Sequence, residues 1–360
     1  MSEIEADIKA ESGSGAGAPL LDVRHLSTEF RLKGKGFFPK VQTLKAVRDV
    51  SFTVREGETL GIVGESGCGK STLGRSILRL IEPTEGQVVW QGRNLAELSA
   101  ADMRAARRDL SIIFQDPIAS LDPRMTVGDI ISEPLRVAEP GLSRRERRAR
   151  VEKVMEEVGL VADMINRYPH EFSGGQAQRI GIARAIITEP KLIVCDEPVS
   201  ALDVSIQAQI VNLLADLRRR RGLTLLFISH DLSVVRLVSD RILVLYLGRV
   251  VEEGTRAEVF ENPAHPYARA LLSAAPIPDP AIARTRRRTV LQGDPPSPVN
   301  PPSGCAFRTR CPIAEPVCAQ VPPELTPVSA THRAACHFAG DEAARRMKDR
   351  QAPPLAALAG

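Results

Sequence analysis

Residues 64–71 read G-E-S-G-C-G-K-S and match the phosphate-binding loop pattern G-x-x-x-x-G-K-[ST]. The apolar residues 59–63 before them predict a buried strand, and residues 71–80 after them have helical spacing. In such a loop the lysine reaches the terminal phosphates of a nucleotide, and the hydroxyl joins Mg²⁺. Because strand, loop and helix follow in the required order, Lys70 and Ser71 are predicted to take those two roles.

The rest of this loop is expected to line the phosphate site, mainly through backbone N–H groups. The further residues assigned to nucleotide binding are Gly64, Ser66, Gly67, Cys68, Gly69 and Thr72.

A second glycine turn, F-S-G-G-Q at residues 172–176, is predicted to open another helix. The bare N–H groups of a helix start are an anion site, so this turn predicts a second half of a phosphate site. The residues assigned to it are Ser173, Gly174, Gly175 and Gln176. One chain with two half-sites predicts pairing with another chain.

Residues 191–197, K-L-I-V-C-D-E, predict a buried strand that ends in two adjacent carboxylates. Side chains alternate along a strand, so Asp196 and Glu197 are expected to point in different directions and to do different work. Asp196 is assigned to the metal and Glu197 to the general base that polarises the attacking water.

Taken together, the motifs from about residue 20 to residue 275 resemble the nucleotide-binding subunits of ABC transporters. Gln115, in F-Q-D-P, resembles the glutamine that senses Mg²⁺ and the transmembrane partner. The stretch S-A-L-D at residues 200–203, which ends in Asp203, resembles the loop that crosses the dimer interface. His230, in F-I-S-H-D, resembles the switch histidine that contacts the γ-phosphate.

The family carries an aromatic adenine platform at the end of its first strand, and Phe30 occupies that place, with Phe37 and Phe38 as alternatives. The resemblance implies ATP and Mg²⁺ as cofactors, with Ser71, Gln115 and Asp196 around the metal. It also implies that two such domains pack head to tail, so that ATP lies between the phosphate loop of one and the F-S-G-G-Q turn of the other.

The fold expected from this resemblance is α/β, a P-loop NTPase cassette with a RecA-like core, an antiparallel β layer and a helical arm. The predicted boundaries are a disordered tail at 1–19, the cassette at 20–275 with its arm at about 114–175, an extension at 276–340 and a tail at 341–360. Within the arm, residues 143–158 predict one helix.

Residues 262–272, N-P-A-H-P-Y-A-R-A-L-L, and 294–305, D-P-P-S-P-V-N-P-P-S-G-C, resemble the C-terminal extension of oligopeptide and dipeptide importer ATPases. Other stretches look closest to the second ATPase of those systems. The resemblance implies ATP-driven import of peptides or related small solutes, with a related second ATPase, two permease subunits and an extracytoplasmic binding protein. A soluble ABC ATPase of DNA repair or translation is the alternative, but such proteins usually carry two cassettes or a long coiled-coil insertion.

Four of the six cysteines gather near the C-terminus with the spacing C-x₅-C-x₆-C-x₁₇-C: Cys305, Cys311, Cys318 and Cys336. Clustered thiols in a cytosolic protein indicate metal ligands before disulfides. The spacing lacks the C-x₂-C pairs of common zinc sites and is compatible with a [4Fe–4S] cluster, to which the importer resemblance also points. Zinc and free thiols remain alternatives.

Composition is consistent with these predictions. No apolar run approaches the ~20 residues that span a bilayer, so the chain is expected at the cytoplasmic face of the membrane, held there by permease subunits. A net charge of +4 and 4% aromatic residues do not indicate a nucleic-acid partner.

Overall fold

The computed structural model describes residues 18–33, 41–274 and 293–351. Most of the predicted N-terminal tail, both alternative platform residues Phe37 and Phe38, the junction between cassette and extension and the last nine residues lie outside the described residues.

Two sheets organise the described chain. The strands are β1 (Leu21–Lys33), β2 (Val41–Val54), β3 (Thr59–Val63), β4 (Glu85–Trp90), β5 (Arg93–Asn94), β6 (Leu110–Ile113), β7 (Leu192–Asp196), β8 (Thr224–Ile228), β9 (Arg241–Tyr246), β10 (Arg249–Thr255), β11 (Thr326–Pro327) and β12 (Arg333–Ala334). The α-helices are α1 (Lys70–Ile77), α2 (Ala100–Ala106), α3 (Val127–Ala138), α4 (Arg144–Glu157), α5 (Gly174–Ile186), α6 (Val204–Arg221), α7 (Leu232–Val238), α8 (Arg256–Glu261), α9 (Pro266–Ala274), α10 (Pro316–Gln320) and α11 (Asp341–Gln351).

The larger sheet has the strand order β11-β12-β10-β9-β3-β8-β7-β6, and its pairs from β9 through β3, β8 and β7 to β6 are parallel. Strands β3, β7 and β8 are buried at every residue, as expected of central parallel strands covered on both faces. Their carboxyl ends meet at one edge of the sheet. The phosphate loop, Asp196 at the end of β7, Glu197 after it and His230 after β8 therefore lie at this edge.

The smaller sheet is antiparallel, in the order β2-β1-β4-β5, and packs on the parallel sheet across helix α1. One hydrophobic cluster joins Leu21 and Val50 of this layer to Leu60 and Leu226 of the parallel strands, with Leu73 of α1 between them. The predicted α/β cassette with an antiparallel layer is confirmed.

Helix α1 ends three residues earlier than the spacing of residues 71–80 predicts. Arg79 has a left-handed backbone, with φ 50°, which cannot continue a right-handed helix. Its guanidinium donates to the carbonyls of Leu95 and Leu98, each at 3.0 Å, and those bonds hold the chain in its turn away from the helix.

The arm consists of α3 and α4, which pack on α5 through buried side chains such as Ile131, Met155 and Ile180. The helix predicted for residues 143–158 is α4. It begins with a reciprocal capping box, in which the Ser143 and Glu146 side chains each bond to the other's backbone.

The C-terminal extension packs on the core of the cassette and has only a small apolar cluster of its own, around Ile313. Its strand β12 pairs antiparallel with β10, so it continues the main sheet, and its Phe307 is 1% exposed within the main core. Residues 341–351, predicted as a tail, form helix α11, whose Ala343 and Met347 are buried against Ile313. The cassette supplies the apolar surface that this short segment lacks.

No helix in the described ranges is long and apolar enough to cross a bilayer.

Candidate nucleotide site

The loop between β3 and α1 depends on glycine at two positions. Gly64 and Gly69 have φ values of 156° and 104°. A Cβ on Gly64 would lie 2.3 Å from the Leu245 carbonyl oxygen, and one on Gly69 would lie 2.1 Å from that of Ala46. The loop can take this path only because glycine has no side chain there.

Lys70 begins α1 and is 4% exposed. Its ammonium group donates to the carbonyl oxygens of Gly64, at 2.8 Å, and Glu65, at 3.1 Å, and lies 3.9 Å from Glu197 Oε1. The loop thus holds one buried cation at its centre, where a phosphate would meet it.

The next residue meets the first of the two strand-end acids. Ser71 Oγ donates to Asp196 Oδ1 at 2.6 Å, and Arg75 Nη2 lies 3.2 Å from Asp196 Oδ2. A hydroxyl and a carboxylate oxygen are ligands suited to Mg²⁺, which takes one or two protein groups and completes its shell with water and phosphate oxygens. Ser71 and Asp196 fit that requirement.

The second acid has different partners, as expected, but Glu197 lies beyond the end of β7, so the turn and not strand alternation sets the direction of its side chain. Glu197 Oε2 accepts a hydrogen bond from Gln115 Nε2 at 3.0 Å and lies 3.2 Å from His230 Nδ1. Glu197 also has a left-handed backbone, with φ 47°, an uncommon conformation for this residue type that often occurs at functional sites. Gln115 and His230, far apart in sequence, therefore converge on a single carboxylate.

A cavity of about 280 Å³ lies beside these groups, and neither Asp196 nor His230 is among its lining residues in the described chain. Phe30 lies in its wall with the loop residues Ser66, Gly67, Cys68, Gly69, Lys70, Ser71 and Thr72, and with Gln115 and Glu197. Sequence reasoning missed Arg75, which pairs with Asp196. It also missed six residues of the cavity wall: Leu44, Lys45, Ala46, Leu247, Gly248 and Pro298. Pro298 belongs to the proline-rich stretch of the extension, whose composition alone gives no sign of this contact.

The F-S-G-G-Q turn begins helix α5 at a separate, exposed place. Ser173 caps the helix: its N–H donates to Gln176 Oε1 at 3.1 Å, and its Oγ accepts from the Gln176 N–H at 3.4 Å. A Cβ on Gly175 would come within 2.6 Å of the Ile206 side chain, so glycine permits close packing on α6. Gly174 is the first residue of α5.

Asp203 is the N-cap residue of α6 and is exposed, without a side-chain capping bond. Within the described chain, neither Asp203 nor the turn at 173–176 lines the phosphate cavity. The two half-sites of one chain are therefore not brought together.

The four C-terminal thiols lie near one another. The Cys305 N–H donates to the Cys318 carbonyl oxygen at 2.7 Å. Burial raises the pKa of Cys311 to about 12 and that of Cys336 to about 11, and for both thiols the neighbouring Cys305 and Cys318 add to the rise. Among the described residues, however, no group of three or more His, Cys, Asp or Glu is arranged to hold a metal ion. His332, four residues before Cys336, lies with its Nε2 2.8 Å from Glu252 Oε1.

Two family descriptions match the chain: ABC transporter over residues 47–200, and oligopeptide/dipeptide transporter, C-terminal region, over residues 251–318. The oligopeptide transport ATP-binding protein OppF of Haemophilus influenzae is 56% identical over 319 residues, which are 88% of this chain and 96% of that protein. Its counterpart in Salmonella typhimurium is 60% identical over 310 residues, 85% and 92% of the two chains. The dimeric structure of an ATP-binding cassette in a post-hydrolysis state, bound to ADP and Pi, is 31% identical, with a TM-score of 0.59, and covers 66% of this chain and 98% of its own.

Proposed function

Since this chain belongs to the ATP-binding subunits of ABC transporters, in the branch that carries the oligopeptide/dipeptide C-terminal region, we propose that it hydrolyses ATP to power the import of peptides or related small solutes. The observation that carries this proposal is one cavity lined by Lys70, Ser71, Gln115 and Glu197. Asp196 bonds to Ser71 at this site, and His230 lies beside Glu197. Catalysis of phosphoryl transfer needs little more than positioning and charge stabilisation, and these residues supply both.

Each residue has a distinct part in the proposed reaction. Lys70 binds the β- and γ-phosphate oxygens, and Phe30 lies where an adenine ring can stack. Glu197 takes a proton from the water that attacks the γ-phosphorus, while the bond from phosphorus to the β-γ bridging oxygen breaks. Gln115 and His230 fix the carboxylate that orients this water. Mg²⁺, held by Ser71 and Asp196 with Gln115 nearby, would neutralise charge on the phosphates.

The F-S-G-G-Q turn is proposed to act on the nucleotide of a second cassette. Its exposed helix start carries N–H groups and the positive end of the α5 dipole, and both attract a γ-phosphate. Asp203, exposed at the start of α6, is proposed to lie at the same interface. ATP would then hold two cassettes together, and its hydrolysis would release them.

A related second ATPase is the proposed partner in this pair, beside two permease subunits and an extracytoplasmic binding protein. The chain would reach the cytoplasmic face of the membrane through the permeases. The soluble repair or translation alternative is not favoured, because likeness to the oligopeptide/dipeptide transporter C-terminal region continues into the extension, to residue 318.

Purification of the tagged full chain from membranes tests the proposed assembly. In a mild detergent, we expect it to bring down two polytopic membrane subunits and a related ATPase, and we expect the peptide-loaded binding protein to stimulate phosphate release in proteoliposomes. Recovery with ribosomes or nucleic acid, without membrane subunits, would contradict the transport proposal and support the alternative.

We further propose that Cys305, Cys311, Cys318 and Cys336 hold a [4Fe–4S] cluster with a structural role. Four thiols gathered in one part of the extension are the usual ligand set of such clusters.

Anaerobic purification should give a brown protein with iron and sulfide in amounts close to four per chain, as a [4Fe–4S] cluster requires. We expect Cys311→Ser to lower the iron content severely, whereas Cys68→Ser, whose thiol lies in the phosphate loop, should retain it. Iron-free protein with one zinc per chain would contradict the cluster and support a zinc site. Protein without any metal would contradict the cluster and show that the four thiols are free.

A further inference from the structure

The phosphate loop is tied directly to the four-cysteine extension at Glu65. Arg310 Nη1 lies 2.6 Å from Glu65 Oε2, and Arg310 Nη2 lies 2.9 Å from Glu65 Oε1, so the guanidinium forms a bidentate ion pair with the carboxylate. The Arg310 side chain is 5% exposed and that of Glu65 25%. Arg310 immediately precedes Cys311 in the chain. The pair therefore connects a residue inside the loop to the thiol-bearing segment.

The backbone of Glu65 is held from the same side. Its N–H donates to the Tyr267 hydroxyl oxygen at 2.8 Å, from helix α9. The Tyr267 ring is fully buried and packs on Phe307 of the extension, with ring centroids 5.4 Å apart, and on Tyr246, at 4.7 Å. Packing in this aromatic cluster fixes the position of the Tyr267 hydroxyl that contacts Glu65.

Glu65 in turn positions the catalytic lysine. Its carbonyl oxygen accepts from Lys70 Nζ at 3.1 Å and from the Cys68 N–H at 3.3 Å. A shift of Glu65 would move the carbonyl that holds the ammonium group, and the turn that presents backbone N–H groups to phosphate. An unbroken series of contacts thus runs from Arg310 through Glu65 to Lys70.

We propose that Arg310 is a positioning residue for the nucleotide site, which holds the phosphate loop through Glu65 and makes ATP affinity depend on the docked extension. This inference rests on the nucleotide site proposed above. Arg310 lies outside the lining of the phosphate cavity and acts through another residue. By linkage, nucleotide bound at the loop should stabilise the docked extension to the same degree.

The test measures MgATP affinity, KM and kcat for Arg310→Gln, Glu65→Gln and the double variant, in the full chain. Loss of the pair should weaken affinity and raise KM by about tenfold, while kcat changes little. The double variant should be no worse than either single one, because each removes the same contact. Arg310→Lys, which keeps the charge but not the fork, should recover part of the affinity.

Arg308→Gln is the matched control. Arg308 lies two residues away. Among the described residues its guanidinium bonds only to Ser303 of the extension, to the carbonyl oxygen at 2.9 Å and to the hydroxyl. We expect its KM to stay within about twofold of the parent's.

If Arg310→Gln and Glu65→Gln lower the thermal midpoint but leave KM at the level of Arg308→Gln, the contact is only structural and the inference is wrong. Should Arg310→Gln fail to fold, Glu65→Gln alone decides, since it approaches the pair from the loop. Lys70→Ala distinguishes failure of this inference from failure of the proposed nucleotide site. If Lys70→Ala loses MgATP binding while Arg310→Gln binds like the parent chain, only the present inference is wrong. If Lys70→Ala binds MgATP normally, both the inference and the proposed site are wrong.

Discussion

Glu197→Gln is expected to bind MgATP about as tightly as the parent chain and to hydrolyse it roughly 10²–10⁴-fold more slowly, the usual contribution of a general base. An amide retains the shape of the carboxylate and can still face Gln115 and His230, which lie within 3.2 Å of Glu197 Oε2. It cannot take a proton from water. The substitution therefore removes the chemical step and spares the phosphate loop.

The measurement is release of labelled phosphate by the purified chain, with and without its partner ATPase, beside equilibrium binding of MgATP. Glu261→Gln serves as the matched control, because Glu261 is an exposed acid at the end of α8, outside the cavity. Turnover at the parent rate in Glu197→Gln would show that another group activates the water.

Lys70→Ala is expected to weaken MgATP binding roughly 10²-fold, in line with the loss of hydrogen bonds between a buried charge and phosphate oxygens. The ammonium group lies between the loop carbonyls and Glu197. Lys45, the other cation in the described cavity wall, is half-exposed and pairs with Glu29 at 3.0 Å. Hydrolysis should fall with binding.

Lys191→Ala is the matched control, because Lys191 is a half-exposed lysine 3.8 Å from Asp109. We expect this variant to bind MgATP like the parent chain. A fluorescent ATP analogue titrated against the two variants gives the comparison, with thermal unfolding to confirm that both are folded. Equal affinities would mean that the nucleotide binds elsewhere.

The parts of the site that the sequence predicts best depend on local pattern. Strand, glycine loop and helix follow one another within about twenty residues, and two adjacent acids mark the end of β7. Parallel strands then bring their carboxyl ends to one edge of the sheet. Gln115 and His230 have no such local signal. That they lie next to Glu197 follows only from the strand order β3-β8-β7-β6.

Contacts between distant segments could not be predicted. Arg310 and Glu65 are 245 positions apart, and nothing in either segment specifies that they meet. The extension has too little apolar surface for a large core of its own. The sequence does not reveal that Phe307 packs into the core of the cassette or that β12 pairs with β10. The early end of α1 likewise depends on the carbonyls of Leu95 and Leu98.

The central claim, that ATP is held between two cassettes, is tested most directly by a structure of the Glu197→Gln assembly with MgATP. The account predicts that Ser173 Oγ and the Gly175 N–H lie within hydrogen-bond distance, about 2.7–3.2 Å, of the γ-phosphate bound to the partner's phosphate loop. A separation as large as a helix diameter, about 10 Å, with the nucleotide in place, would contradict it.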